Sequence, residues 1–146
     1  ETVKVMLDGR SHPDLTVTGG AVTLANDRTG SLVHIGLGYT WKVITQKYEE
    51  KTQQYDTAQG RTKRIISVVM RFLNTLGFKY GDPNGELVNH DFEQGQSYNA
   101  NTPLFTGDTE KLKWPEGSNT SGQMRFESDS VFPACIIAYM AEIKVQ

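Results

Sequence analysis

The chain has 146 residues, 37% of them hydrophobic, with 14 glycines, 3 histidines and a single cysteine. Its formal net charge is −2, so no global field drives it onto nucleic acid or an anionic membrane, and one cysteine excludes an intrachain disulfide. A single domain of this length buries roughly 68 to 70% of its unfolded surface, and the glycine content suits a turn-rich β protein better than a helical bundle.

Alternation begins at once, with Val3, Val5 and Leu7 on one face of a strand, and Asp8-Gly9 follows. That dipeptide suits a type I′ turn because both residues tolerate positive φ. Leu15-Thr16-Val17, Gly19-Gly20 and Ala21 to Leu24 read as a small hairpin, and a turn over Asn26 to Gly30 leads to a strand from Leu32 to Leu37. Thr40 to Thr45 is the next strand, with Trp41 and Val43 on one face. Gln46 to Gln59 is polar and lacks an apolar stripe; it reads as a mobile loop, with a helical turn or two as the alternative.

Gly60 to Gly81 is the most apolar stretch, through Ile65, Ile66, Val68, Val69, Met70, Phe72 and Leu73. Stiff β-branched side chains favour a strand, and apolar residues at successive positions predict burial on both faces at the centre of the fold. Dense turn chemistry follows at Gly81-Asp82-Pro83-Asn84-Gly85. Asn89 to Gly107 is a long polar loop anchored by Leu104 and Phe105, and Lys111 to Trp114 is a short strand. Met124 and Phe126 share a face of the next strand, and Val131 to Ala141 is a second apolar block, also read as strand because of Pro133 and the alternation at Ile143 and Val145. Together these predict an all-β fold, an antiparallel β-sandwich or flattened barrel with long polar loops, any helix being confined to one or two turns. The chain opens at Glu1 with no leader, and no apolar run approaches the roughly 18 residues of a membrane span. It is read as one β domain over residues 1–146, without a membrane anchor, excised from or C-terminal in a longer polypeptide.

Charge is uneven. Residues 61–80 hold five cations (Arg61, Lys63, Arg64, Arg71, Lys79) and no acid, whereas 81–130 hold nine acids and three bases. In an extended strand Arg61 and Lys63 point one way and Arg64 the other, so these three cannot form one cationic face. They read as a charged strand start at a sheet edge, which discourages edge-to-edge aggregation. Cys135, flanked by Ala134, Ile136 and Ile137, reads as a small buried hydrophobe. His34 reads as a surface or rim histidine.

No pattern of catalysis stands out. His12, His34 and His90 are scattered, with no metal-ligand spacing, and Asp91 and Glu93 read as solvated loop acids. There is no Gly-x-Ser-x-Gly elbow, and Gly36-Leu37-Gly38 lacks the third glycine and the helix of a phosphate cradle. No catalytic, cofactor-binding or metal residue is assigned, no cofactor is expected, and the chain is read as a non-enzyme.

An ordered series of short motifs carries a resemblance. Leu32-Val33-His34-Ile35-Gly36-Leu37-Gly38-Tyr39-Thr40 is followed by Gln59-Gly60-Arg61-Thr62-Lys63-Arg64-Ile65 and Arg71-Phe72-Leu73-Asn74-Thr75-Leu76-Gly77. Leu104-Phe105-Thr106-Gly107-Asp108, Trp114-Pro115 and Phe132-Pro133 through Glu142 complete it, over roughly residues 30 to 143. In order and spacing the series resembles the C-terminal part of the tail nozzle proteins of short-tailed phages, also called tail tubular protein B or packaged-DNA stabilisation protein; Gly38 stands where that family usually has proline. The resemblance implies a structural virion protein of a phage or prophage, made in the bacterial host cytoplasm and residing in the tail. It implies an assembly module that oligomerises with other tail subunits around a channel, through which DNA passes without specific binding. The fragment alone is expected to be monomeric, ring geometry being set by the rest of the subunit.

Contacts with neighbours are expected chiefly from the loops Gln46–Gln59 and Asn89–Gly107, with Tyr48, Tyr55, Tyr98 and Phe105 as anchors. The alternative is a carbohydrate-binding or host-receptor-binding β-sandwich of a phage tail protein, in which Tyr48, Tyr55, Tyr98 and Trp114 stack on sugars.

Overall fold

The computed structural model describes residues 1–24, 29–51, 57–90, 92, 103–115 and 117–146. Among them there is no helix. Eleven strands form three antiparallel sheets, none closed into a barrel, so of the two predicted architectures the molecule takes the sandwich-like one.

One layer is built on β5 (Lys63–Thr75), flanked by β11 (Ile136–Val145) on one side and by β8 (Phe105–Asp108) and β9 (Leu112–Lys113) end to end on the other. Thr109 keeps that second edge continuous: its amide donates to the Met70 carbonyl (2.9 Å) and its hydroxyl accepts from the Met70 amide (3.0 Å). The facing layer runs β4 (Trp41–Ile44), β10 (Arg125–Ser128), β6 (Phe78–Gly81) and β7 (Leu87–His90). Ile65, Val68, Met70 and Phe72 of β5 meet Phe78, Tyr80, Met124 and Phe126 of the facing layer, with Leu112 and Trp114 closing one end. Phe72 and Phe78 lie 4.7 Å apart, Phe92 and Phe105 stack at 4.5 Å, and the Tyr80 hydroxyl donates across the layers to the Lys113 carbonyl. At roughly 1.5–3 kcal/mol per buried large side chain, these contacts dominate the stability.

β5 is central, as expected, but it is not buried on both faces. Phe72 is fully buried while its neighbour Leu73 is 43% exposed, and Ile66, Arg64 and Arg71 also face out. The physical reason is a pair of bulges. Between Ile143↔Ile65 and Glu142↔Ser67 the pairing gains a residue on β5, at Ile66, and between Ala138↔Arg71 and Ile136↔Phe72 it gains one on β11, at Ile137. The burial pattern changes phase between Ser67 and Val68, so an apparently unbroken apolar run serves two faces in turn. The run also does not stay one strand through Gly81; it turns after Thr75, with Gly77 at φ 75°, and returns as β6 in the opposite layer.

The cations at the start of β5 are not at a sheet edge. Lys63 is fully buried, its ammonium donating to the Thr120 carbonyl at 2.8 Å. Cys135 is exposed instead of buried, because its backbone is what docks: its amide donates to Thr75 Oγ1 and its carbonyl accepts from the Leu73 amide. The second apolar block becomes strand only from Ile136, five residues after the expected start.

The third sheet, in the order β2 (Arg10–Thr16), β1 (Thr2–Leu7), β3 (Val33–Gly36), stands beside the sandwich as an annex. Its β1–β2 turn is the predicted one, Asp8 at φ 49° and Gly9 at φ 79°. The Gly19-Gly20 hairpin is reduced to a single bridge between Thr18 and Ala21. A groove of about 390 Å³ separates the Lys4, Met6 and His34 face of the annex from residues Ser130 to Pro133.

Candidate interaction surface

β3 is where the molecule departs from ordinary surface chemistry. It is the outer strand of the annex, paired among the described residues with β1 alone, and all four of its residues are exposed. Leu32, Val33, Ile35, Leu37 and Tyr39 are all exposed, Leu37 to 66% and Tyr39 to 76%. From Thr29 to Trp41 the sequence carries no acidic or basic side chain except the imidazole of His34. Natural proteins blunt free edges with charge, proline or cover; among the described residues nothing pairs with the outer backbone of β3, and its side chains other than His34 are apolar. His34 is on the surface, as expected.

The strand is nonetheless well positioned. Asp8, in the β1–β2 turn, accepts the Ser31 and Leu32 amides on its carboxylate at 3.1 and 2.7 Å. Gly38 passes so close to Lys4 that a Cβ there would lie 2.9 Å from the Lys4 Cγ.

A second edge belongs to β11, which among the described residues pairs only with β5. Between Ala134 and Ala141 it too lacks charged residues, and Ile137, Tyr139 and Met140 are exposed. Around it the outer face is held by ion pairs. Arg71 grips Asp108 with two bonds of 2.6 and 2.8 Å, and that guanidinium holds the Asp108 carboxyl below its ordinary value. Lys111 pairs with Glu142 at 2.5 Å, and Lys111 with Ser67 lowers the Glu142 carboxyl likewise.

The anchors expected from sequence are placed as follows. Tyr48 is half-buried, its amide bonded to the Ser121 carbonyl and its hydroxyl donated to Glu50, whose carboxylate pushes the phenol up to about 12. Phe105 is partly buried against the core through Phe92. Tyr55 and Tyr98 lie outside the described residues, as do Asp91, Glu93 and much of both polar loops. For the sugar-binding alternative, Trp114 is only 6% exposed and takes no part in an exposed aromatic row. Reading by residue type found the strand from Leu32 to Leu37 but not its exposure as a sheet edge; the signal available was an uncharged apolar run outside the predicted core.

Among the described residues no three His, Cys, Asp or Glu side chains group as metal ligands, and no helix is long and apolar enough to cross a membrane. No protein-family model matches the chain, and no curated protein matches it.

Proposed function

We propose that this chain is a structural assembly domain of a phage tail nozzle, a virion protein of the short-tailed phage type, working without catalysis in a ring around the DNA exit channel. The observation that carries the reading is the uncharged, exposed edge strand β3. The motif Leu32–Thr40 that opens the resemblance to nozzle proteins is that same strand with its flanks. In this reading the occupant of β3 is the β11 edge of a neighbouring copy, since β11 pairs only with β5 among the described residues and is apolar and uncharged from Ile136 to Ala141, on a different sheet from β3. Such a head-to-tail contact is heterologous, and closes into a ring when the rotation between copies allows it. Two strands bury less than the roughly 800 Å² per partner of a stable complex. The contact is therefore weak alone and is made effective by the rest of the subunit, which raises the local concentration.

The test places Ile35→Lys together with Leu37→Glu in the parent polypeptide. Because both side chains already face solvent, the melting temperature stays within a few degrees of the original while ring formation and tail assembly fail. Normal rings and infectious particles from the double variant would remove β3 from the interface and leave the assembly reading without its carrier.

A further inference from the structure

On the outer face of the β5 layer, Arg64 of β5 is paired in register with Lys144 of β11. Like charges set directly opposite one another in a sheet are destabilising. Lys113, on β9 at the other side of β5, joins them around a cavity of about 300 Å³ lined also by Ile65, Ile66, Trp114, Pro115 and Gln146, whose terminal carboxylate is the one anionic group belonging to a lining residue among those described. No acidic side chain lines it among the described residues. Elsewhere Lys4, Arg71, Lys79, Lys111 and Arg125 each reach a carboxylate, whereas Arg64, Lys113 and Lys144 pair with none among the described residues. The Ile66 bulge falls in this cavity's wall, and the Trp114 amide donates to the Ile66 carbonyl at 3.0 Å, holding β9's end against the bulged strand. Bulges of this kind re-aim side chains next to functional sites.

A lone carboxylate is satisfied by one cation. Three cations around one cavity that reach no carboxylate side chain among the described residues suit a group with several anionic oxygens, in which the planar Arg64 fork takes two oxygens and the lysines act as point charges. Adjacent strands are about 4.8 Å apart, so side chains from β11, β5 and β9 reach one anion from both sides. We infer that the cleft between β5, β9 and β11 binds a phosphate group through Arg64, Lys113 and Lys144. The phosphate belongs either to a free or terminal phosphate or to the phosphodiester backbone of nucleic acid. The site goes beyond the assembly reading and stands whether or not that reading holds.

Trp114 lines the cavity and Trp41 does not, so a Trp41→Phe background makes tryptophan fluorescence a reporter of the site. This protein is titrated with inorganic phosphate and pyrophosphate, and separately with a short duplex DNA over a series of salt concentrations. The expected result is a saturable fluorescence change with at least one of them, weakened about tenfold or more by Arg64→Ala or Lys144→Ala and unaffected by Lys42→Ala, a cation elsewhere on the surface. Saturation by inorganic phosphate assigns the free-phosphate source. Saturation by DNA alone, with a salt slope of about −2 to −3 that falls by about one when Arg64 is removed, assigns the phosphodiester. Thermal melting separates binding from folding: Lys144→Ala relieves like-charge repulsion, so its melting temperature holds or rises while binding falls. No saturable change with any of the probes, or binding that persists in the triple alanine variant, would overturn the site.

Discussion

Asp8 and Leu32 are bonded to each other twice, although 24 residues separate them. The Asp8 amide donates to the Leu32 carbonyl at 2.8 Å, and the Leu32 amide donates to the Asp8 carboxylate at 2.7 Å. The residue that makes the first hairpin turn, held at positive φ, is thus also the clamp that starts β3. Asp8→Ala removes the acceptor of two amides and places alanine at an unfavourable φ. It is expected to destabilise the chain by about 1–3 kcal/mol, while Asp8→Asn, which tolerates that φ and keeps an acceptor, costs less. Chemical denaturation of the two variants checks the order, and hydrogen exchange locates the loss at residues 31–36.

The alternation across β5 predicts opposite outcomes at adjacent positions. Phe72→Ala empties a fully buried site and is expected to cost about 3–5 kcal/mol. Leu73→Ser, one residue on but facing out, is expected to stay within about 1 kcal/mol. Equal losses at both, measured by urea denaturation, would mean that β5 is covered on both faces after all.

Gly122 sits at φ 61°, and a Cβ there would lie 2.9 Å from both Lys63 Cδ and Tyr48 Cβ. Gly122→Ala combines backbone strain with a collision and is expected to lower stability by about 1–3 kcal/mol. A melting curve unchanged by this substitution would show that Tyr48 and Lys63 do not pack across the glycine.

Acid sensitivity follows from the outer-face pairs. Asp108 and Glu142 titrate below their ordinary 3.8 and 4.5 when folded, because Arg71 and Lys111 favour their charged forms. A depressed folded value means that the unfolded chain binds protons first, so the stabilisation is present above the ordinary carboxylate range and is lost as pH falls through the folded values. Both groups are exposed, so the effect is modest and screened by salt. Melting temperature is expected to decline below about pH 4.5, and less steeply in Asp108→Asn than in the original chain.

Local chemistry made much of the fold legible. Asp8-Gly9 specified its turn, Met124 and Phe126 declared one buried face, and Gly81 to Gly85 marked the β6–β7 connection. What stayed hidden depended on pairing partners. Ile66 read as core by residue type, but it alternates with buried Ile65 and Ser67 and faces out, and the slip in the β5–β11 register moves the buried phase only from Val68 on. Lys63 read as surface charge, but strand direction buries it and gives it the Thr120 carbonyl. Leu32 to Leu37 read as an ordinary strand, and its place at a sheet edge depends on sheet order, which no short pattern encodes. Arg64, Lys113 and Lys144 are distant in sequence and meet only through three strands.

For the proposed contact of β3 in one copy with β11 in the next, the chain supplies its own probe in the exposed Cys135 just before β11. Leu32→Cys and Leu37→Cys place a second thiol at either end of β3 in the parent polypeptide. On mild oxidation, the variant whose new thiol falls beside the neighbour's Cys135 is expected to give a ladder of disulfide-linked oligomers, and Cys135→Ser is expected to abolish it. Absence of a ladder from both variants, or a ladder that survives Cys135→Ser, would contradict the β3–β11 contact.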